Sequence, residues 1–321
     1  MPFEADHPQS STAVREMKAR LSKLETEEGR VKGLISFQPS AGDVIIVTPP
    51  KSGTTLVCQI VQSLRSRGDM SFEEINLVIP CLEMAYDYGY RDLNAPQGWN
   101  PRVYKTHAWY PHCPRGGEGV KYVYVVRNPV DAAISFYHFF SGWFFEPGTL
   151  SVDTFIDEFV LARGKPESIM QNASLWHNIA SWWDHRHDPN VLWLFYEDLV
   201  ADLAFGVDRI ATFLGFDEND KDLRALTVKQ ASIESMKRYP TKYDEHMLKE
   251  ARNVICGLDP KSGLNGNSSG KVRQGGVGKE RCKLLDSTLK ALEKKWEDVV
   301  MKATGCSSYD EMHRQINEEL N

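Results

Sequence analysis

The chain alternates short apolar runs with longer amphipathic segments. Four runs have the length and β-branched or aromatic composition of buried strands; they are Val44–Thr48, Val103–Lys105, Tyr122–Val126 and Val191–Tyr196. Helical spacing of apolar residues lies between them, near 54–67, 130–143, 152–163, 172–184 and 204–214. This alternation predicts an α/β fold with a mainly parallel central sheet flanked by helices. Ligands of such sheets bind beyond the carboxyl ends of the strands.

The rest of the chain extends this single layered unit. Residues 1–12 are predicted to form a disordered tail, and residues 13–33 carry charges at the spacing of a surface helix. The chain contains neither an internal repeat nor an interdomain linker, so residues 13–321 are expected to form one domain.

A glycine-rich segment covers residues 256–281, with asparagines and serines among its glycines. Such a composition cannot pack a core and predicts a mobile loop. The composition leaves open whether this loop closes over a ligand or is only a solvent loop. A charged amphipathic helix is expected to follow, from about 279 to 303.

The turn after the first strand has the features of a phosphate-binding loop. It reads Pro49-Pro50-Lys51-Ser52-Gly53-Thr54-Thr55-Leu56 and leads into a helical pattern. Helix N-terminal N–H groups attract anions, Gly53 permits a close backbone approach, and the hydroxyls add donors. The alternative is a turn that only caps its helix. Lys51 precedes the glycine, so the order is not that of a nucleoside triphosphatase loop, G-x-x-x-x-G-K-[ST].

Two further strand ends carry candidate chemistry. Arg127 ends the third strand, with Ser135 about a turn and a half into the next helix, and this pair suits a phosphate dianion unless the arginine pairs with a carboxylate. Lys105 and His107 end the second strand. The histidine is a candidate general base and the lysine a candidate for charge stabilisation; the alternative is a structural histidine. His185 and His187 are expected to mark a polar helix end rather than a metal site.

Charge and cysteine content restrict the possible partners and compartment. The net charge of −6 argues against a nucleic-acid binder, so an anion site must be a local basic pocket. The six cysteines are scattered, which fits a reducing cytoplasm rather than a disulfide framework or zinc site. No apolar run approaches the length of a membrane span, and the N-terminus has no signal-peptide core. A cytoplasmic protein without a membrane partner is therefore expected.

Together these motifs resemble those of the cytosolic sulfotransferases over roughly residues 35–285. The matching segments are Lys51-Ser52-Gly53-Thr54-Thr55, Lys105-Thr106-His107, Arg127-Asn128-Pro129 with Ser135-Phe136-Tyr137-His138-Phe139, Phe195-Tyr196-Glu197-Asp198-Leu199, Ser232 through Met236, and Arg273-Gln274-Gly275. The resemblance implies transfer of a sulfuryl group from 3′-phosphoadenosine-5′-phosphosulfate (PAPS) to a hydroxyl or amine. It also implies a P-loop-like phosphosulfate site and no metal.

The resemblance also implies a role for each matching residue. Lys51, Ser52 and the backbone of Gly53, Thr54 and Thr55 would hold the 5′-phosphosulfate. The 3′-phosphate would be held by Arg127, Ser135 and the loop of Arg273, Gln274 and Gly275. The adenosine would be surrounded by Leu56, Tyr196, Ala231, Ser232, Ile233 and Met236. His107 would take the proton of the acceptor, with Lys105 and Lys51 stabilising charge.

The chain departs from the family pattern at four places. Leu56 and Ile233 replace the tryptophan and phenylalanine that normally flank the adenine, and Gln274 replaces a lysine. Lys279-Glu280 replaces an Asp-Trp pair. These changes predict weaker cofactor binding than in typical members, without loss of activity. The family's dimer motif is not recognisable, so the oligomeric state stays open.

The acceptor pocket is expected, from its position in the pattern, to be lined by Cys81, Met84, Trp109 and Phe139, beside Lys105 and His107. The aromatic run 139–145 could be a wall of this pocket or core packing. An acidic protein with one basic pocket favours a small, apolar or aromatic acceptor over a polyanionic glycan. A nucleotide kinase would need the triphosphatase loop that this sequence lacks. An inactive module that only binds 3′-phosphoadenosine-5′-phosphate (PAP), the product of PAPS, would not need His107 and Lys105.

Overall fold

Four parallel strands form the sheet at the centre of the molecule. The computed structural model describes residues 8–87, 89–264, 271–272 and 276–319. The strands are β1 (Val44–Val47), β2 (Val103–Thr106), β3 (Lys121–Val126) and β4 (Val191–Phe195). They lie in the order β2-β1-β3-β4. Each predicted strand is therefore present, with its bounds shifted by at most one residue, because short β-branched runs between turn residues favour buried parallel strands.

Helices cover both faces of this sheet. The α-helices are α1 (Pro8–Leu21), α2 (Glu27–Arg30), α3 (Thr54–Ser66), α4 (Ile75–Val78), α5 (Pro129–Phe140), α6 (Val152–Phe155), α7 (Leu175–Trp182), α8 (Tyr196–Ala201), α9 (Leu203–Leu214), α10 (Lys221–Ala231), α11 (Ile233–Lys237), α12 (His246–Arg252), α13 (Asp286–Trp296), α14 (Lys302–Thr304) and α15 (Tyr309–Glu319). The π-helical turns are Val31–Ile35, Ile156–Leu161 and Glu297–Met301, and the 3₁₀ turns are Tyr110–His112, Trp183–His185, Pro240–Tyr243 and Arg281–Lys283.

Alternate residues of each strand supply two separate cores. Ile45 and Val47 of β1 pack into a cluster on one face of the sheet, and Val44 and Ile46 pack into a cluster on the other. Successive side chains of a strand point to opposite faces, so a short run buried throughout must be covered on both sides. The predicted α/β layering is confirmed.

The N-terminal prediction differs from the structure. Helix α1 begins at Pro8, within the range 1–12 that was predicted to be a disordered tail; residues 1–7 lie outside the described part. The expected surface helix over 13–33 is wrong, because the helix ends at Leu21 and a second helix and a π-turn follow. Met17 is completely buried in the core. Charge spacing alone did not reveal that this helix packs against the domain.

The glycine-rich segment is only partly described, because residues 265–270 and 273–275 lie outside the described ranges. The prediction of mobility for this segment remains a prediction. The following helix, expected from about 279, begins at Asp286 after a 3₁₀ turn. Within the described ranges, no helix is both long enough and apolar enough to cross a bilayer.

Candidate active site

The carboxyl ends of the four strands meet around one large cavity. β1 lies between β2 and β3, so the segments that follow these three strands converge at one edge of the sheet. The cavity has a volume of about 1150 Å³. Of the residues predicted for the site, those that line it are Lys51, Gly53, Thr54, Thr55, Leu56, Met84, Lys105, His107, Arg127, Ser135, Phe139, Tyr196, Ala231, Ser232, Ile233 and Met236.

Of the six other predicted residues, the three that the structure describes do not line this cavity. Ser52 is a buried residue of the loop after β1. Cys81 is also buried; it forms a β-bridge with Lys105 of β2, and its thiol lies near Glu83. Trp109 follows the end of β2 and packs its ring against His112. The structure therefore does not bring Cys81 and Trp109 to this cavity. The loop residues Arg273, Gln274 and Gly275 lie outside the described residues.

The loop between β1 and α3 has an unusual backbone that only small residues tolerate easily. Lys51 and Gly53 have φ angles of 70° and 102°, in the left-handed region. A Cβ at position 53 would lie 2.6 Å from Cδ2 of Tyr196. Gly53 is the N-cap of the 13-residue helix α3, whose first N–H groups have no intrahelical partner. The loop therefore presents backbone donors and a helix dipole to the cavity.

Several polar groups around this loop are suited to an anion. Among the described residues, Ser52 Oγ and Arg127 Nε are buried and have no hydrogen-bond partner. The Lys51 ammonium lies 3.9 Å from the centroid of the Phe139 ring. Burial holds the pKa of Lys51 well below its usual value, and the positive charge of Lys271 acts in the same direction. A bound anion would relieve this desolvation and repulsion, so these residues fit a phosphosulfate.

Arg127 connects the loop to the glycine-rich segment. Its Nη1 donates to the Lys51 carbonyl at 3.3 Å and its Nη2 donates to the Gly276 carbonyl at 3.2 Å. Its guanidinium lies 4.4 Å from the centroid of the Tyr196 ring. A second cavity of about 70 Å³ is lined by Arg127 together with Ser135, as the predicted 3′-phosphate site requires.

An ion pair that the sequence analysis missed closes this second cavity. Asp131 of α5 accepts hydrogen bonds from Arg281 Nε at 2.8 Å and Nη2 at 2.9 Å, and from the Gly278 N–H at 3.0 Å. The aspartate is buried and thereby fastens the end of the glycine-rich segment to α5. Asp131 falls two residues into the helix after Arg127-Asn128-Pro129, but the sequence does not indicate its partner.

His107 is held in one tautomer by the end of β1. Its Nδ1 lies 2.9 Å from the carbonyl oxygen of Thr48, which can only accept, so Nδ1 carries the proton. Nε2 then keeps its lone pair, and none of the described groups forms a hydrogen bond to it. Burial lowers the pKa of His107, although the Glu83 carboxylate acts in the opposite direction. The imidazole at the cavity wall is therefore neutral and basic at one nitrogen.

Two polar residues that the sequence analysis missed position this strand end. Glu83 Oε1 accepts from the His107 N–H at 2.6 Å and from Thr106 Oγ1 at 2.7 Å. The Lys105 ammonium is buried and donates to Asn76 Oδ1. Burial acts to lower the pKa of Lys105, but the neighbouring cysteines and carboxylates outweigh it and raise the pKa. Lys105 therefore stays protonated.

A buried carboxylate and a further lysine also face the cavity. Glu245 has a positive φ of 59°, and its Oε1 pairs with the ammonium of Lys271 from the glycine-rich segment. Burial raises the pKa of Glu245, but Lys271 and Lys105 outweigh it and lower the pKa to about 2. The sequence contains no signal for this pair, because its members come from two segments without regular spacing.

The aromatic run 139–145 is divided between the two alternatives. Phe139 and Trp143 line the cavity, whereas Phe144 and Phe145 are buried in the core. Phe140 does both, since it lines the cavity and packs against Phe144. The run therefore forms both a wall of the cavity and part of the core.

The comparison with known proteins agrees with this geometry. Residues 41–305 match the sulfotransferase domain family. Amine sulfotransferase of Oryctolagus cuniculus is 29% identical over 252 residues, which cover 76% of this chain and 76% of that protein. Sulfotransferase 1B1 of Canis lupus familiaris is 31% identical over 212 residues, covering 64% and 69%. Mouse sulfotransferase SULT7A1, solved as a complex with PAP, has a TM-score of 0.61 at 21% identity and covers 92% and 94%.

The chain belongs to the sulfotransferase family, because the family match extends over most of its length. The predictions of this family, of its α/β fold and of a PAPS-dependent sulfotransferase are confirmed. PAPS is the sulfuryl donor of such enzymes, and PAP is its product.

Proposed function

We propose that this enzyme transfers a sulfuryl group from PAPS to the hydroxyl or amine of a small, apolar or aromatic acceptor, with His107 as general base. One observation carries the proposal. The lone pair of His107 lies at the wall of a cavity that also contains the anion-binding loop after β1. A base and a phosphosulfate site in one cavity are what sulfuryl transfer requires.

The donor is held through the loop and through Arg127. Lys51, Ser52 and the N–H groups of residues 53–55 bind the 5′-phosphosulfate, and Arg127 with Ser135 binds the 3′-phosphate. Arg273, Gln274 and Gly275, which lie outside the described residues, are proposed to contribute to the same 3′-phosphate site. When bound, PAPS supplies the sulfuryl group: a bond forms between sulfur and the acceptor atom while the bond to the 5′-phosphate oxygen breaks, and PAP keeps the electron pair.

The adenine is proposed to lie between aliphatic side chains. Leu56 and Ile233 line the cavity beside Tyr196, and the segment of Ala231, Ser232 and Met236 completes this wall. Aliphatic side chains supply shape and apolar contact but not the stacking of an aromatic ring. Weaker binding of PAP than in typical family members follows.

The acceptor is deprotonated by His107. Nε2 takes the proton of the hydroxyl or amine, and the resulting charge on Nδ1–H is stabilised by the Thr48 carbonyl. Lys105 and Lys51 stabilise the negative charge that shifts during transfer. The acceptor body packs against Met84 and Phe139, which line the same cavity. Cys81 and Trp109, which do not reach the cavity wall, take no part.

The test combines binding with transfer. We expect PAP to raise the thermal unfolding midpoint and ATP to have a much smaller effect, because the loop lacks the triphosphatase order. Radiolabelled PAPS is then incubated with a panel of phenols, alcohols and amines, and labelled product is measured. Stabilisation by ATP without stabilisation by PAP would contradict the proposal and favour a kinase. Binding of PAP without transfer to any acceptor would favour an inactive PAP-binding module.

We also propose a cytoplasmic location. All six cysteines are free and five of them are buried, as expected for a protein kept in a reducing compartment. Fractionation of cells that express the chain tests this, and recovery from an oxidising or membrane-bound fraction would contradict it.

A further inference from the structure

Part of the cavity wall comes from segments that carry neither the phosphate loop nor His107. One segment joins α1 to α2, and the other follows the π-turn Ile156–Leu161. We call this region the arginine chamber; its lining residues are Leu24, Glu25, Arg30, Arg163, Lys165 and Met170. π-turns are frequent at functional sites because they redirect the residues that follow.

Arg163 is a cation in this chamber, and no described residue forms a salt bridge or hydrogen bond with its guanidinium. Its guanidinium lies 4.1 Å from the centroid of the Phe159 ring and 5.7 Å from that of Phe136. Within the described ranges, no carboxylate or carbonyl oxygen forms a hydrogen bond with this group. Burial lowers its pKa to about 10, so it stays charged at neutral pH. The backbone is fixed, because Lys295 donates to the Arg163 carbonyl at 3.1 Å.

Arg30 is a second cation in the chamber, and it is only 2% exposed. Its Nη1 pairs with Glu25 at 2.9 Å and its Nη2 donates to Asn172 Oδ1 at 2.6 Å. Its Nε is buried and has no partner among the described residues. A buried donor without a partner is costly, so its presence indicates a missing acceptor group.

The carboxylates of the chamber do not neutralise these arginines. Glu25 pairs with Arg30 and also acts electrostatically on Arg163, but burial raises the pKa of Glu25 to about 7 despite both arginines. A fraction of Glu25 is therefore neutral at physiological pH. Lys165 adds another cation and Glu167 another carboxylate. The chamber keeps a positive excess, which favours an anion and disfavours an amine.

We infer that the arginine chamber binds a carboxylate at the end of the acceptor opposite the reacting hydroxyl. The acceptor class is then a hydroxylated organic acid with an apolar or aromatic body. A carboxylate fits a guanidinium through two parallel hydrogen bonds, and Arg163 has its donors free for this. The apolar body of the acceptor lies against Met84 and Phe136, which line the same cavity as His107 and Arg163. This inference rests on the proposed function, since the hydroxyl must reach His107.

Matched acceptors test the inference. A series of para-hydroxyphenylalkanoic acids of increasing chain length is compared with the primary amides and the amines of the same length. We expect the best acid to have kcat/KM about 30-fold above its amide, the scale for loss of one partner of a buried charge contact. Arg163→Gln should remove this preference, because it lowers the value for the acid much more than the value for the amide. Arg163→Lys should restore part of it.

Arg115→Gln is the control variant. Arg115 also lies over an aromatic ring, that of Tyr110 at 5.1 Å, but does not line the cavity. It should leave the preference for the acid intact. Equal turnover of acid and amide by the unmodified enzyme, a preference for the amine, or an equal loss for both acceptors in Arg163→Gln would each overturn the inference.

Calorimetry separates this inference from the proposed function. Binding of the acid and the amide is measured with and without PAP, independently of turnover. Tighter binding of the acid that depends on Arg163, without transfer to it, would keep the chamber assignment and contradict the proposed reaction. Transfer to neutral phenols without tighter binding of the acid would keep the reaction and overturn the chamber assignment.

Discussion

The position of one proton determines the chemistry at His107. The Thr48 carbonyl can only accept a hydrogen bond, so it fixes the proton on Nδ1 and leaves Nε2 basic. Glu83 contacts the backbone of His107 rather than its ring, and so positions the residue without taking its proton. The protonation and position of His107 therefore depend on Thr48 and Glu83, which are remote from it in the sequence.

Replacement of His107 should separate catalysis from binding. His107→Ala removes the base, and we expect kcat to fall by at least about 100-fold because general-base catalysis contributes that much. PAP should still bind, since the phosphate contacts lie elsewhere. Steady-state kinetics and calorimetry check both results. His187→Ala, at an exposed histidine, is the matched control; substantial turnover by the His107 variant would remove the base assignment.

The pH dependence of the reaction should follow the same residue. Burial lowers the pKa of His107 from its usual 6.5. Only the neutral ring accepts a proton, so activity is present above the folded pKa and is lost as the pH falls through it. We expect kcat/KM to decline only below pH 6.5. Glu83→Gln removes an opposing negative charge and should move this decline to still lower pH; a decline that begins above pH 6.5 would argue against His107.

Leu56 offers a direct test of the aliphatic adenine site. A tryptophan at this cavity position would stack on the base, and stacking stabilises such contacts by at least about 1 kcal/mol. Leu56→Trp should therefore tighten PAP binding about fivefold, measured by calorimetry. Leu285→Trp is the control, because Leu285 is exposed, whereas the neighbouring Val57 is fully buried. Unchanged or weaker affinity in Leu56→Trp would place the adenine elsewhere.

At the scale of elements, helix α5 anchors the glycine-rich segment. Asp131 accepts hydrogen bonds from Arg281 and from the Gly278 N–H. Two residues before Gly278, the Gly276 carbonyl accepts from Arg127. The helix therefore sets the position of residues 276–281, whose own composition would not. A loop rich in glycine needs such an external contact, because its backbone entropy opposes any fixed conformation.

Loss of this anchor should loosen the segment. Asp131→Asn removes the charge that holds Arg281, and we expect faster limited proteolysis within 271–281 and weaker PAP binding. Digestion followed by mass spectrometry, with and without PAP, measures the first effect. Asp208→Asn breaks an exposed pair with Arg224 and should change neither property. Unchanged cleavage in the Asp131 variant would mean that other contacts hold the segment.

At the scale of the whole molecule, the features that could be predicted from the sequence are those that local residue patterns determine. The strands, and the convergence of Lys51, His107 and Arg127 at their carboxyl ends, follow from short-range composition and from the rule for parallel sheets. The pair of Glu245 with Lys271 could not be predicted, because the tertiary fold brings those segments together. The N-terminal helix was misassigned to the surface for the same reason, since charge spacing does not show which part of the domain a helix packs against.

The charge pair at the cavity should contribute to global stability. Glu245→Gln removes the carboxylate that pairs with Lys271, and breaking a buried pair lowers the free energy of unfolding by about 3 kcal/mol. The folded pKa of Glu245 is about 2, so its contribution is present above its usual value of 4.5 and is lost as the pH falls toward 2. Chemical denaturation of both proteins across this range should show their difference shrinking.

Glu245→Gln should also change how strongly PAP stabilises the protein. Anionic PAP can replace the lost negative charge beside Lys271, so PAP should raise the unfolding midpoint of Glu245→Gln more than that of the unmodified protein. Glu234→Gln, at an exposed pair with Arg238, is the control and should change stability much less. A Glu245 variant as stable as the parent at neutral pH would contradict the assigned role.

The ring of Tyr196 has a consequence for nucleotide choice. It touches the position of Gly53 on one side and lies under the Arg127 guanidinium on the other. In the proposed donor site, this rigid ring would fix the spacing between the group that holds the 5′-phosphosulfate and the group that holds the 3′-phosphate. We expect adenosine 5′-phosphosulfate, which lacks the 3′-phosphate, to contact only the first of these groups, so the proposed site would distinguish donors by length before any sulfur–oxygen bond changes.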